Sequence, residues 1–256
     1  MDINLIGFDV TLGREKPRTL LREGDVCPFC DVKNLRGIVE TQGEMIFLKN
    51  KYNVIQGADQ FLIIETDICH SDMPDYTKEH MRNLIRFAVK HWQNMINSGK
   101  YEVVLMFKNY GPLSGGTIRH PHMQIVGFPK LNSALLFNRQ EFGGRLIAKK
   151  NGVELNAADC PRIGFGELNI LPHKESDMDT LADFVQVCVD YLMNHFNTNC
   201  KSYNIFFYYD EAGIYIKILP RFATSPLFIG YNIHFLPNNL DVIVRDMQSL
   251  YAHVLT

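Results

Sequence analysis

The stretch HPHMQIVGFP (residues 120–129) has the pattern of a β-strand that leads with polar side chains and continues with apolar ones. Side chains on a strand alternate between its faces, so His120, His122 and Gln124 share one face at intervals of roughly 7 Å. A second strand, YEVVLMFK (101–108), precedes it, and the connecting loop NYGPLSGGTIR (109–119) contains three glycines and a proline. We therefore predict a strand–loop–strand unit that presents two imidazoles and an amide beside a glycine-rich loop.

The elements around this unit occur twice in the order strand, helix, strand, turn, strand. The first copy has FLIIETD (61–67), a helix near 77–97, YEVVLMFK and HMQIVGFP, preceded by the strand MIFLKN (45–50). The second copy has FGELNILP (165–172), a helix over 178–196, YNIFFYYD (203–210) and GIYIKILP (213–220). We predict an α+β fold of two tandem repeats, residues 1–130 and 131–256, that form an antiparallel sheet with helices on one face. An irregular linker is predicted around 130–163, and a short helix near the C-terminal end.

Composition restricts the function classes. The chain has 256 residues, of which 46% are hydrophobic, so it can bury a sizeable core. Its formal charge of −2 gives no reason to expect nucleic acid or an anionic membrane as partner. No segment has the apolar length of a membrane span, and the first residues lack the pattern of a signal peptide. We therefore expect a cytoplasmic protein, in which the close pair among the six cysteines indicates metal or redox chemistry.

His122 has the chemistry of a nucleophile at phosphorus. An imidazole is substantially neutral near pH 7, and the phosphoramidate that it forms is reactive enough to be passed on. The upstream glycines free backbone N–H groups for an anion, Thr117 adds a hydroxyl, and the Gln124 amide can donate to a phosphoryl oxygen as charge builds. A bare His-x-His is better explained by surface residues of an amphipathic strand, but the glycine loop and Gln124 favour the functional interpretation.

Cys27-Pro28-Phe29-Cys30 has the spacing of a metal knuckle. Two thiolates at this spacing can close one side of a tetrahedral zinc site. A redox motif shares the spacing but normally opens a helix after a strand, whereas this one lies between the polar runs REGD and DVKN. His70 and His120 are the candidates for the remaining ligands. Another metal such as iron, or a pair of idle thiols, remains an alternative.

These motifs together resemble those of galactose-1-phosphate uridylyltransferases and their relative ADP-glucose phosphorylase, members of the histidine-triad superfamily. HPHMQ follows an FxNxG segment (FKNYG, 107–111) and a small-residue loop, as in the active-site signature of that family, with Lys108 in place of its Glu. CPFC follows a segment with an Arg and a Pro, and ETDICHSDMPDYT (65–77) resembles the family's turn in which Ser follows His. The segments FLKNKYNVI, GELNILP and FIGYNI extend the resemblance over nearly the whole chain, more weakly after residue 130.

The resemblance implies a role for each matching residue. His122 would be the nucleophile that takes a nucleoside monophosphate. The implied ligands of a structural zinc ion are Cys27, Cys30, His70 and His120. The implied substrate contacts are Gln124 to a phosphoryl oxygen, Asn109 and Thr117 to phosphate, and Asn50 near the nucleoside. The resemblance also implies a homodimer.

The second repeat departs from the family pattern. The family often has its own His-x-His there, in some members as part of a second metal site, whereas the matching strand here reads Ile214-Tyr215-Ile216-Lys217. Glu167 stands at the matching glutamate position, but without the histidines we expect no second metal site. Lys217 and Arg221 are candidates to supply positive charge to a phosphate, as a point charge and as a fork, and exposed basic residues at a strand end are an equal alternative.

Three functions compete on this basis. The first is a nucleotidyltransferase or phosphorylase that acts on a nucleotide-sugar or dinucleotide and a phosphate acceptor through a nucleotidyl-histidine, with a hydrolase as its variant when water is the acceptor. The second is a non-catalytic nucleotide-binding or regulatory protein. The third is a zinc-stabilised interaction module in which HPH is structural only. The free imidazole of His122 between a zinc-ligand candidate and Gln124 favours the enzyme.

Overall fold

The computed structural model describes residues 4–20, 26–172 and 176–256. The chain divides into two compact units, an N-terminal unit of Met1–Asp72 with Asn83–Phe137 and a C-terminal unit of Met73–Arg82 with Asn138–Thr256. The strands are β1 (Ile38–Gln42), β2 (Met45–Lys49), β3 (Asp59–Ile64), β4 (Val103–Tyr110), β5 (His122–Phe128), β6 (Gly144–Lys150), β7 (Val153–Ala158), β8 (Leu168–Pro172), β9 (Tyr203–Asp210) and β10 (Gly213–Pro220). The helices are α1 (Val10–Arg14), α2 (Lys78–Asn97), α3 (Met178–Asp190), α4 (Pro226–Tyr231), α5 (Leu240–Leu250) and α6 (Ala252–Leu255).

Each unit contains a five-stranded antiparallel sheet of the same topology. The strand order is β1-β2-β3-β5-β4 in the N-terminal unit and β6-β7-β8-β10-β9 in the C-terminal unit. A helix connects the third and fourth strands of each copy, α2 in the first and α3 in the second. The predicted α+β fold of two tandem repeats is therefore confirmed.

The two faces of the N-terminal sheet have different neighbours. Phe47 of β2 stacks on His91 of α2 with ring centroids 4.0 Å apart, so this face packs against the helix. The adjacent residue Leu48 points to the opposite face, where it lies across from Leu62, which in turn lies across from Gln124. Because side chains alternate along each strand, His122 and Gln124 lie on the face away from the helix.

The predicted irregular linker around 130–163 is wrong. These residues include β6 and β7, which form a hairpin closed by Asn151-Gly152. Both turn residues have positive φ, 45° for Asn151 and 73° for Gly152, as the turns that match strand twist require. Asn-Gly between two runs of strand-forming residues was the available signal in the sequence.

The start of α3 is held by charged side chains. Asp177 caps the helix, since its side chain accepts from the backbone N–H of Thr180. Six residues further along, Asp183 accepts from Arg82 Nε and Nη2 at 2.8 and 2.7 Å, and Lys78 Nζ lies 3.0 Å away. The N-terminal parts of α2 and α3 are thereby joined inside the C-terminal unit.

Candidate active site

A cavity of about 550 Å³ lies on the face of the N-terminal sheet that α2 does not cover. Its walls come from the sheet, from the CPFC loop and from the glycine-rich loop between β4 and β5. The predicted residues that line it are Asn50, Asn109, Thr117, His122 and Gln124. The structure therefore brings the nucleophile candidate and four of the six predicted substrate-contact residues to one cavity.

His122 is held in one tautomer by its neighbour's backbone. Its Nδ1 lies 2.8 Å from the carbonyl oxygen of His120, and since a carbonyl only accepts, Nδ1 carries the proton. Nε2 is therefore left with a lone pair. Burial lowers the pKa of His122 to about 4, so the ring is neutral at pH 7. The ring of Phe29 packs edge-on against it with centroids 5.3 Å apart. A neutral, oriented imidazole in a cavity can attack an electrophile.

The glycine-rich loop is shaped by its own hydrogen bonds. Ser114 Oγ donates to the carbonyl oxygen of Gly111 at 2.7 Å and accepts from the backbone N–H of Gly116 at 3.2 Å. Gly115 has a φ of 88°, a conformation that side-chain-bearing residues rarely adopt. A Cβ at Gly116 would come within 3.3 Å of the Asn109 side chain. The small residues therefore let the loop lie close to Asn109 at the cavity wall.

A metal-ligand cluster lies behind His122. The ligand atoms of Cys27, Cys30, Cys69 and His120 all lie within 4.8 Å of one another. His120 Nδ1 is 3.6 Å from the sulfur of Cys27 and 3.6 Å from that of Cys30. Three sulfurs and one imidazole nitrogen at these separations form a set of four donors that can hold a metal ion.

The other ring nitrogen of His120 faces a carbonyl. Nε2 lies 2.8 Å from the backbone oxygen of Thr66, which fixes the tautomer that leaves Nδ1 free for a metal. Burial raises the pKa of the Cys27 thiol, but hydrogen bonds from His120 and from the backbone of Phe29 outweigh it, and the pKa falls to about 7. These contacts suit a metal-binding thiolate.

Cys69, not His70, completes this cluster, so the structure corrects the predicted ligand His70. The two residues are consecutive in the turn after β3, where successive side chains point in different directions. Cys69 is half-buried and reaches the other three ligands, whereas His70 is exposed. The available signal in the sequence was the cysteine directly before the histidine in ETDICH.

Lys217 and Arg221 belong to the C-terminal unit and do not line the cavity. Lys217 is fully buried, and its Nζ donates to Glu141 O and Asn169 Oδ1, both at 2.7 Å. Its charge is met by Glu167, whose Oε2 lies 3.4 Å away. Arg221 Nη1 donates to Asn204 Oδ1 at 2.7 Å. Both basic groups hold the C-terminal unit together, and the structure places neither at the predicted phosphate contact.

The carboxylate of Glu167 has a structural environment. It accepts from the backbone N–H groups of Arg162, Ile163 and Gly164 at 2.7, 2.6 and 3.1 Å. Across the described ranges, the one group of His, Cys, Asp and Glu side chains arranged to hold a metal is the cluster of the N-terminal unit. Glu167 therefore stabilises the loop at 162–164 through these backbone hydrogen bonds.

Basic side chains that sequence reasoning did not single out border the cavity. Lys16, Arg36, Lys49 and Lys51 line it together with one acidic residue, Asp31. Burial lowers the pKa of Lys16. The positive charge of this lysine in turn helps to lower the pKa of His122. An excess of positive charge around a cavity favours an anionic ligand.

Comparison with solved structures defines the class of fold. The chain matches a uridylyltransferase with a TM-score of 0.74 and 14% identity, covering 99% of this chain and 100% of that one. It matches an ADP-glucose phosphorylase from Arabidopsis thaliana, solved with bound ADP-glucose, with a TM-score of 0.69 and 13% identity over 96% and 98% of the two chains. The chain therefore has the fold of these uridylyltransferase and phosphorylase structures, and the resemblance predicted from its motifs is confirmed at the level of the fold.

Closer relatives define the family. Sequence models of the DUF4931 family, described as a domain of unknown function, match residues 8–131 with the N-terminal domain and 135–252 with the C-terminal domain. The crystal structure of a DUF4931 family protein from Bacillus cereus is 39% identical, covers 84% of this chain and 99% of that one, and superposes with a TM-score of 0.76. The chain belongs to the DUF4931 family.

One curated protein shares a shorter segment. Over 88 residues, 34% of this chain, the sequence is 32% identical to a di-/tripeptide transporter of Lactobacillus helveticus. The match covers 18% of that protein, so this chain spans about a fifth of the length of the curated relative. Among the helices in the described ranges, none has the length and apolarity to cross a membrane.

Proposed function

We propose that this protein transfers a nucleotidyl group by double displacement, with His122 as the nucleophile. The observation that carries the proposal is the position of its ring: Nδ1 is fixed on the His120 carbonyl, and the residue lines a cavity bordered by basic groups. An imidazole in this tautomer offers Nε2 to an electrophile. The uridylyltransferase and the ADP-glucose phosphorylase of the same fold support a nucleotide as the ligand.

In the first step, Nε2 of His122 attacks the α-phosphorus of a nucleotide-sugar or dinucleotide. The Nε2–P bond forms while the bond from phosphorus to the bridging oxygen breaks, and the leaving phosphate keeps the electron pair. Negative charge grows on the non-bridging oxygens, where the Gln124 amide can donate and the charge of Lys16 is favourable. In the second step, a phosphate oxygen of the acceptor attacks the same phosphorus. The P–Nε2 bond breaks, its electron pair returns to Nε2, and neutral His122 is regenerated.

We infer that the cluster of Cys27, Cys30, Cys69 and His120 holds a structural zinc ion. A set of three thiolates and one imidazole suits zinc and leaves no open position for a substrate. The ion supplies no chemistry to the transfer; it ties the CPFC loop to the strand that carries His122. A fixed His120 carbonyl in turn orients the His122 ring.

Intact-protein mass spectrometry tests the proposal. The protein is incubated briefly with UDP-sugars, ADP-sugars and dinucleoside polyphosphates and quenched in alkali, because a phosphorus–nitrogen bond to histidine is lost in acid. We expect a mass increase of one nucleoside monophosphate, absent from His122→Asn. His80→Asn, which changes a half-buried histidine on α2 outside the cavity, is the matched control and should form the adduct. Absence of an adduct with every donor would leave hydrolysis without a covalent intermediate, or binding alone, as the function.

A further inference from the structure

Two amide side chains face each other across strands β2 and β3 at the far end of the cavity from His122. The backbone N–H of Asn50 donates to Gln60 O at 2.8 Å, which continues the β2–β3 pairing by one residue. Directly opposed residues place their Cβ atoms about 5 Å apart on the same face. Both side chains line the cavity. They form an amide pair that a single ligand group can contact.

The oxygens of both amides are already engaged by the backbone. Gln60 Oε1 accepts from the N–H of Ile55 at 3.0 Å, and Asn50 Oδ1 accepts from the N–H of Tyr52 at 2.9 Å. A backbone N–H requires an oxygen opposite it, so these bonds settle which way each amide points. Neither Gln60 Nε2 nor Asn50 Nδ2 donates to any residue of the described ranges. The amide pair therefore has its oxygens turned to the backbone and its N–H donors left for a ligand in the cavity.

The surroundings make these donors selective. Gln60 is 3% exposed, and apolar side chains surround the pair on the cavity wall, among them Leu48, Leu62 and Ile55. In such a place a donor left without a partner loses the hydration that it had in water, so a ligand without an acceptor there is disfavoured. The ligand group that reaches this end must present acceptors.

The strand register fixes how far this end lies from the nucleophile. Ile64 of β3 lies across from His122 and Gln60 lies across from Val126, four residues further along. Four residues of a strand span about 13 Å. A nucleotide bound with its α-phosphoryl group at His122 would extend its ribose along Leu62 and its base to the amide pair.

We propose, building on the proposed nucleotidyl transfer, that Gln60 together with Asn50 selects the base of the nucleotide. Uracil and guanine present a carbonyl oxygen on the edge away from the sugar, where cytosine and adenine present an amino group. The N–H donors of the amide pair can hydrogen-bond to the carbonyl oxygen. They would face an amino group donor to donor, which is unfavourable. The substrate is therefore a nucleotide of a keto base, uracil or guanine.

Equilibrium binding of UMP, GMP, CMP and AMP, measured by calorimetry without any chemical step, tests this inference. We expect UMP or GMP to bind about tenfold more tightly than AMP and CMP. UMP and GMP are separate arms, so the tighter of the two identifies the base. Equal binding of all four, or binding of none, would overturn the inference.

The decisive variant is Gln60→Glu. A carboxylate keeps one oxygen for the Ile55 N–H and turns the donor into an acceptor, so the preference for keto over amino bases should vanish or reverse. Added negative charge weakens all four ligands alike and cancels in the ratio of affinities. Asn50→Asp, which keeps the Tyr52 bond, should act in the same direction. Gln42→Glu, on exposed β1 outside the cavity, is the control and should leave the ratio unchanged.

Failure of this inference and failure of the proposed function have different results. A keto-base preference that Gln60→Glu abolishes, without a His122 adduct, supports base selection and rejects the covalent step. An adduct that forms equally from uridine, guanosine and adenosine donors supports the covalent step and rejects base selection. A base preference that persists in Gln60→Glu also rejects the role of Gln60.

Discussion

At the scale of single residues, a cysteine in the fourth ligand position changes the charge that a metal ion meets. Three thiolates and a neutral imidazole around a divalent cation leave the centre with a net charge of −1, whereas two thiolates and two imidazoles would be neutral. Thiolate-rich sites also favour zinc over cations that prefer oxygen ligands. Cys69 therefore matters more to the identity of the metal than its half-buried place in a turn suggests.

Substitution of Cys69 separates the two candidate ligands. We expect the purified protein to carry one equivalent of zinc by inductively coupled plasma mass spectrometry, and Cys69→Ser to lose most of it, because a serine hydroxyl is a poor zinc ligand. His70→Asn removes the exposed neighbour and should keep the metal. A variant pattern in which His70→Asn loses zinc and Cys69→Ser keeps it would restore the assignment drawn from sequence.

The cavity residues show what sequence can and cannot reveal at this scale. His122, Gln124, Asn109 and Thr117 were found because they lie in one continuous motif. The hydrogen bond to the side-chain oxygen of Gln60 could not be predicted from the sequence. Its donor, the N–H of Ile55, belongs to a turn whose geometry only the fold specifies.

At the scale of elements, ion pairs decide how the start of α2 is joined to α3. Arg82 makes two parallel hydrogen bonds to Asp183, the strongest form of this pairing. Burial raises the pKa of the Asp183 carboxyl, but the hydrogen bonds from Arg82 and Lys78 outweigh it, and the net pKa is lowered. The folded state is therefore stabilised above the ordinary pKa of an aspartate, and this stabilisation is lost as pH falls through the lowered value.

Asp183→Asn should reduce the free energy of unfolding at pH 7 by about 1–3 kcal/mol, because a charged hydrogen-bonded pair is broken. The difference from the wild type should shrink as the pH is lowered below the ordinary aspartate range, since wild-type Asp183 is then protonated as well. Urea unfolding at a series of pH values measures both. Asp179→Asn is the matched control: its carboxylate lies 3.5 Å from Arg82 and is more exposed, so its effect should stay below about 1 kcal/mol. A constant difference across the pH series would show that the ion pair does not act through its charge.

The elements that sequence predicted are those with a strong period. The helices near 77–97 and 178–196 were predicted from their spacing, as were strands β2–β5 and β8–β10. The last six residues of the second helix, Tyr191–Phe196, form a π-helical turn. The β6–β7 hairpin was missed because the charged residues of β6 obscure the alternation of apolar and polar side chains. The Asn-Gly turn is the one clear sequence signal for this hairpin.

At the scale of the whole molecule, one fold is used twice with different connections. In the N-terminal unit, residues 111–121 link β4 to β5 and supply the glycine loop; in the C-terminal unit, Glu211 and Ala212 alone link β9 to β10. Lys217 was a candidate to bind a phosphate, with an exposed basic residue as the equal alternative. The structure buries it, and Glu167 and Asn169 interact with its ammonium group inside the unit. Whether a charged residue serves a ligand or its own fold depends on neighbours distant in sequence, which is why this part could not be predicted.

Removal of the metal should loosen the N-terminal unit and leave the C-terminal unit unchanged. After chelation, hydrogen exchange measured by mass spectrometry should accelerate in peptides that contain the CPFC loop, the turn at 65–72 and the strand start at 118–124, because their common tie is lost. Peptides from β9 and β10 should exchange at an unchanged rate and serve as the internal reference. Equal acceleration in both groups would mean that the cluster supports the entire chain.

The second repeat is a natural comparison that lacks the glycine-rich loop, because a two-residue turn joins β9 to β10. It has the same strand order and the same crossover helix, yet its corresponding connection leaves no room for a glycine loop. The two repeats thus share their sheet topology and differ in the length of one hairpin connection. Grafting residues 109–121 between β9 and β10 would ask how much of a catalytic site is carried by a loop and how much by the sheet beneath it.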